Sequence, residues 1–242
     1  MQQIELELAG GGVLTVSLRA SLDAMPAVKQ RPLVLVVPGG GYNHVSPREG
    51  DPVALQFAAA GYHTAVLTYS VGEGAQDYRP LRQLNEALAL LRQNAGEWHI
   101  LPDKIAVCGF SAGGHLALSG AVLDIPGETA QQRPNAVILG YPVITAGEFA
   151  HRGSFVQLAG SEDAAAQQVF TLEDKTVPVE NTLLLLAALR RAGVPCEAHL
   201  FEKGAHGTSI STAEVDAADP HRAHWVALCL EWLGETFGFK LS

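Results

Sequence analysis

Residues 105–115 read Ile-Ala-Val-Cys-Gly-Phe-Ser-Ala-Gly-Gly-His, and the order of residue types in this stretch decides the fold. Ile105 to Cys108 form a continuous apolar run, as expected of a strand buried on both faces. Gly114, His115, Leu116 and Leu118 then begin a helical pattern. Between the two lies Gly109-Phe110-Ser111-Ala112-Gly113, a serine with glycine two residues away on either side. A strand that turns this tightly into a helix leaves no room for a Cβ at those two positions. The turn lifts the Ser111 hydroxyl above the sheet and aims the next backbone N–H, that of Ala112, at whatever the hydroxyl attacks. Ser111 is therefore read as a nucleophile for acyl transfer.

The flanking sequence alternates strands and helices. Ile4 to Leu8 and Val13 to Leu18, separated by Gly10-Gly11-Gly12, predict an antiparallel hairpin. Leu33 to Val37, following Pro32, and His63 to Tyr69 predict two strands. Asp51-Pro52 can cap and open a helix between them that passes Leu55 and Phe57 and stops at Gly61. Leu81, Leu84, Leu88 and Leu91 share one helical face, with Gly96 as the stop. Ala136 to Val143 predict a further strand, Val179 to Arg191 a Leu-rich helix ended by Gly193, and Glu197 to Phe201 a last strand. Trp225, Leu228, Cys229, Trp232 and Leu233 mark a terminal amphipathic helix. This order predicts an α/β fold with a mostly parallel central sheet, an N-terminal antiparallel hairpin and helices on both faces. No repeat or linker divides residues 1–242, so a single domain is expected.

Composition narrows the class of partner. A net charge of -9 disfavours nucleic acid and anionic membranes, which need a basic face. No stretch reaches the roughly 20 apolar residues of a membrane helix, and the first residues carry no secretory pattern. Cys108, Cys196 and Cys229 are scattered within apolar runs, so buried free thiols and a cytoplasmic location are expected.

Acyl transfer needs donors for a developing oxyanion. Pro38-Gly39-Gly40-Gly41-Tyr42 follows the Leu33–Val37 strand, and its glycines allow close approach of backbone N–H groups. Gly40, Gly41 and Ala112 are assigned as the oxyanion hole. No Gly-Lys-Ser/Thr follows, which argues against a phosphate loop. The base should be a histidine after the last strand. His206, in Phe201-Glu202-Lys203-Gly204-Ala205-His206-Gly207, is the one of nine histidines so placed. His115 is read as donating to nearby backbone in the first helical turn after the Gly109–Gly113 elbow. His221 and His224 are read as solvated residues before the terminal helix. His44, His63, His99, His151 and His199 show no partner spacing. No metal motif is present, and neither a metal nor a cofactor is expected.

Elbow, Pro-Gly-Gly-Gly-Tyr loop, Val177-Pro178-Val179-Glu180-Asn181 and the His206 segment together resemble the small bacterial α/β-hydrolase esterases of the acetylxylan esterase-like and feruloyl-esterase-like (BD-FAE) type. The resemblance implies a Ser-His-Asp carboxylesterase for short-chain acyl esters, sugar acetates or acetylated xylo-oligosaccharides among them. It also implies an acid three residues before a Val-Pro pair, which is Asp174. Here the chain departs from the family, whose members carry an apolar strand just before that acid. Val169-Phe170-Thr171-Leu172 is the only segment available, and 161–168 before it read as a capped helix. Two readings stand: Asp174 is the acid, or the strand has been lost and Glu148, beyond the Ala136 strand, is the fallback. Two functions stand with them, a serine esterase acting on a small-molecule ester and a catalytically impaired fold that binds or regulates. The sequence leaves oligomeric state open.

Overall fold

The computed structural model describes residues 1–20, 27–125, 132–146, 148–159, 174 and 176–241. Six strands form one sheet in the order β1-β2-β4-β3-β5-β6. Strands β1 (Gln2–Glu7) and β2 (Val13–Leu18) form the hairpin, in register from Gln2 opposite Leu18 to Glu7 opposite Val13. Strand β2 also pairs antiparallel with β4 (His63–Thr68). From there the sheet is parallel through β3 (Arg31–Val37), β5 (Ile100–Phe110) and β6 (Ala136–Gly140).

Strand β3 is buried along its whole length, and its side chains divide the core between two faces. Leu33, Leu35 and Val37 join Leu81, Leu84, Leu88 and Leu91 of α2 (Arg79–Gln93) and Leu116 of α3 (Ala112–Val122). Val34 and Val36 join Val53 and Phe57 of α1 (Asp51–Ala59) and Leu233 and Phe237 of the terminal helix, Pro220–Phe237. The apolar spacing read in the sequence therefore marks the faces that meet the sheet. Helix α1 opens at Asp51 as predicted, but its cap position is Gly50 and no side chain caps it.

Three expectations need correction on the C-terminal side. Residues 197–201 form no strand. Glu197 and His199 are hydrogen-bonded to each other there at 2.7 Å. Residues 194–200 are exposed, and among the described residues β6 pairs only with β5. A β pattern without a neighbouring strand has no ladder to join, and its backbone turns to water. The 161–168 helix and the 169–172 strand candidate lie outside the described residues. Helices α4 (Arg152–Ala159) and α5 (Glu180–Ala192) follow β6, and the terminal helix is α6. Helix α5 ends at Gly193, in the left-handed region at φ 68°, as the sequence predicts. Second, His221 and His224 lie inside α6 rather than before it, although both are exposed. Third, Cys108 is buried but Cys229 is only partly so and Cys196 is exposed, because Cys196 sits in the unpaired 194–200 segment. Among the described residues no helix is long and apolar enough to cross a membrane.

Candidate active site

Ser111 stands where β5 ends and α3 begins, in a strained conformation for a non-glycine residue, φ 52° and ψ -120°. The glycines around it are required by contact. A Cβ on Gly113 would lie 2.1 Å from the Val37 carbonyl oxygen, and one on Gly109 2.2 Å from that of Gly113. The turn is tied down by Ser111 N–H donating to Gly140 O at 3.0 Å, and by Val143 and His115 N–H donating to Ser111 O.

His206 and Asp174 are brought to this serine. The Ser111 hydroxyl lies 2.9 Å from His206 Nε2, and His206 Nδ1 lies 2.8 Å from Asp174 Oδ2. The other carboxylate oxygen of Asp174, Oδ1, accepts from Thr176 and Val177 N–H, both at 2.9 Å, in a turn of its own making. Burial works to raise the Asp174 carboxyl. The hydrogen bonds from His206 and from the Val177 and Thr176 amides outweigh it and hold the group below the usual carboxylate range. Glu148 is exposed, and it is Asp174 that meets the histidine.

Neither loop hangs from a described strand, so other groups hold them. Fully buried Asn181, in the first turn of α5, donates to Pro178 O and Phe149 O and accepts from Ile144 and Thr145 N–H. It thereby fastens the segment carrying Asp174 to the chain leaving β6. The His206 loop is pinned from α6, where Trp225 Nε1–H donates to Ser209 O at 3.0 Å and Arg222 to Lys203 O at 3.2 Å.

The Pro38–Tyr42 loop presents Gly40 at φ 125° and Gly41 at φ 64°. The N–H groups of Gly40, Gly41 and Ala112 have no acceptor among the described residues, Ala112 because it opens a helix. Gly39 N–H is not available: it donates to Glu49 Oε2 at 2.8 Å. Glu49 is one of two residues that sequence reasoning missed. It is 3 % exposed, and its Oε1 accepts from the Tyr141 hydroxyl at 2.6 Å. Tyr141, just past β6, accepts in turn from Ser209 N–H at 2.9 Å, and its ring centre is 4.8 Å from that of His206. One chain of hydrogen bonds thus joins the oxyanion loop to the histidine loop. Burial, together with the neighbouring Glu49 carboxyl, pushes the Tyr141 hydroxyl well above its usual pKa, so it remains a donor.

Among the described residues the His115 ring donates to no backbone group. Its Nδ1 meets the Tyr42 hydroxyl at 2.8 Å, and burial lowers its pKa to about 4. It is a neutral core histidine that fastens α3 to the oxyanion loop. The second missed residue is His151, which stands beside Gly41. A cavity of about 560 Å³ opens over Ser111, bordered by Gly40, Gly41, His44, Arg48, His151 and His206 among others. Among the described residues no group of three or more His, Cys, Asp or Glu could hold a metal ion.

The arrangement is that of an α/β hydrolase, and comparison with known proteins agrees. The BD-FAE family matches residues 23–138. The crystal structure of MGS-M1, an alpha/beta hydrolase enzyme from a Medee basin deep-sea metagenome library, is 36% identical with a TM-score of 0.82, covering 98% of each chain. The acetyl ester-xyloside bifunctional hydrolase of Caldicellulosiruptor lactoaceticus is 32% identical with a TM-score of 0.79, covering 95% of this chain and 89% of that one. The acetylxylan esterase of Xylanibacter ruminicola is 29% identical over 203 residues, 74% of this chain and 41% of that protein. The chain spans less than half the length of the curated relatives it matches first. It belongs to the BD-FAE family of α/β hydrolases.

Proposed function

We propose that this chain hydrolyses carboxylic esters through an acyl-enzyme on Ser111. The observation that carries the reading is the hydrogen-bonded line from Ser111 Oγ through both His206 nitrogens to Asp174 Oδ2, at 2.9 and 2.8 Å. Ser111 Oγ attacks the acyl carbon as its proton passes to His206 Nε2. Asp174 keeps the other ring proton on Nδ1 and stabilises the imidazolium. Gly40, Gly41 and Ala112 N–H hold the oxyanion. Collapse breaks the bond to the alcohol, which leaves with the proton from Nε2. A water molecule, deprotonated by the same nitrogen, then releases the acid and restores Ser111.

The substrate class is short acyl esters, with acetylated sugars or xylo-oligosaccharides as leading candidates. The names of the acetylxylan esterase and of the acetyl ester-xyloside hydrolase support this reading, as does the polar border of the cavity. The cytoplasm is the proposed compartment, on the strength of three free cysteines. The test is turnover of p-nitrophenyl acetate by the parent protein and by Ser111→Ala. The parent should show a burst of nitrophenol and then steady turnover, and the variant neither. Along a series from acetyl to dodecanoyl esters the rate should fall beyond butyryl. Substantial activity in Ser111→Ala refutes the mechanism, and a maximum at long chains refutes the substrate class.

A further inference from the structure

His151 borders the cavity and has no part in the line from Ser111 to Asp174. It directly precedes α4, whose first N–H groups lack partners within the helix. Its Nδ1 accepts from Ser154 N–H at 3.3 Å and lies 2.9 Å from Ser154 Oγ. A ring nitrogen that accepts from a backbone N–H carries no proton, so in neutral His151 the hydrogen is on Nε2. The ring is neutral near pH 7: burial, and then the neighbouring His206, lower its pKa against a weaker opposing pull from Asp174. Nε2 itself has no hydrogen-bond partner among the described residues, and it is not one of the sealed polar atoms left unpaired. His151 therefore offers the cavity one fixed N–H donor, its ring locked by the helix end.

The position of the ring says which part of a substrate it meets. A Cβ on Gly41 would come within 3.5 Å of His151 Cε1, so the ring edge lies against an oxyanion residue. The ring also lines the same cavity as Ser111 and His206. At the tetrahedral carbon the oxyanion points to Gly40, Gly41 and Ala112, the leaving oxygen points to His206 Nε2, and the acyl chain takes the remaining direction. A group that borders the first site and shares the cavity with the second is placed to meet the alcohol portion as it leaves.

We propose that His151 Nε2–H donates a hydrogen bond to an oxygen of the substrate's alcohol portion, carried on the carbon next to the ester-bearing one. His151 is then a specificity-determining residue favouring vicinal-oxygen alcohols over apolar alcohols of the same size. The assignment rests on the esterase reading of Ser111.

The test uses a matched pair, 2-hydroxyethyl acetate and propyl acetate, which differ by a hydroxyl in place of a methyl. The quantity read is the ratio of their kcat/KM values. His151→Phe should lower that ratio about three- to tenfold, the usual worth of one neutral hydrogen bond. His151→Asn is the second variant, because asparagine caps the Ser154 N–H but is too short to present the donor. It should lose the same selectivity with α4 intact. A ratio in His151→Asn within about twofold of the parent's, less than one hydrogen bond is worth, overturns the proposal. An equal fall on both esters does so as well, since it makes the residue a structural cap alone. Failure of the underlying reading looks different: the parent turns over neither ester, or Ser111→Ala still turns over both.

Discussion

Asp174→Asn is a perturbation whose outcome can be worked from the hydrogen bonds alone. Asp174 Oδ1 faces the two amides of Thr176 and Val177, and Oδ2 faces His206 Nδ1. Asparagine is nearly isosteric, but it has only one oxygen. Two backbone donors compete for that oxygen against one ring nitrogen, so the amide settles with its carbonyl toward Thr176 and Val177. Its NH2 then points at His206 Nδ1 and donates to it. That forces the ring proton onto Nε2, which faces Ser111 and can no longer take the hydroxyl proton. Loss of an orienting carboxylate in this way costs on the order of 10⁴ in kcat, or about 5 kcal/mol of transition-state stabilisation. KM should change little, because Asp174 stands behind the histidine. The assay is steady-state hydrolysis of p-nitrophenyl acetate by parent, Asp174→Asn and Glu148→Gln under one set of conditions. A loss below about tenfold in Asp174→Asn would contradict a mechanism that assigns the base its tautomer through this residue. A strong defect in Glu148→Gln alone would move the acid there.

Other consequences follow from the same contacts. Tyr141→Phe leaves Glu49 Oε1 and Ser209 N–H without their shared partner. At about 1–3 kcal/mol for each buried group left unpaired, it should lower the unfolding free energy by about 2–6 kcal/mol in urea titration. An unchanged urea midpoint would show that the link between the two loops carries no weight. Stability should also fall with acid. His115 and His63 each have a folded pKa of about 4 against 6.5 when exposed, so the unfolded chain binds more protons between those values. Their contribution is complete above pH 6.5 and is lost as pH falls toward 4. His115 alone accounts for about 3 kcal/mol at 1.36 kcal/mol per pKa unit. His115→Gln should flatten the pH dependence of Tm in that window, and an identical slope would refute the assignment. The depressed Asp174 carboxyl acts separately, withdrawing stability only below the ordinary carboxylate range.

How far the sequence could be read depended on whether a feature is local. The elbow is set by close contacts within a few residues and their strand neighbours, and glycine at 109 and 113 reports those contacts directly. The β3 and β5 runs and the Leu81–Leu91 face were equally legible, because burial imposes its period on the chain. Glu49 was not. In Ser46-Pro47-Arg48-Glu49-Gly50 a lone acid beside a glycine reads as a solvated loop, and only the fold places its carboxyl against Gly39 and Tyr141. His151 shows no partner spacing, but such spacing is a criterion for metal ligands. The signal it does carry is His-x-x-Ser at a helix start, a capping pattern. Residues 197–201 fail in the opposite direction. Their alternation is genuine, but strand formation needs a neighbour that periodicity cannot supply. The hydrogen bonds of Asn181 and the contacts from α6 explain how Asp174 and His206 still meet Ser111.

The proposed mechanism requires Ser111 to be the residue that forms a covalent acyl intermediate. The most direct measurement is exposure of the full chain to a serine-directed alkyl phosphonate, followed by peptide mass mapping. One adduct is expected, on Ser111, forming in step with loss of esterase activity and much more slowly in Asp174→Asn. Labelling of another serine, or full inactivation with Ser111 unmodified, would contradict it.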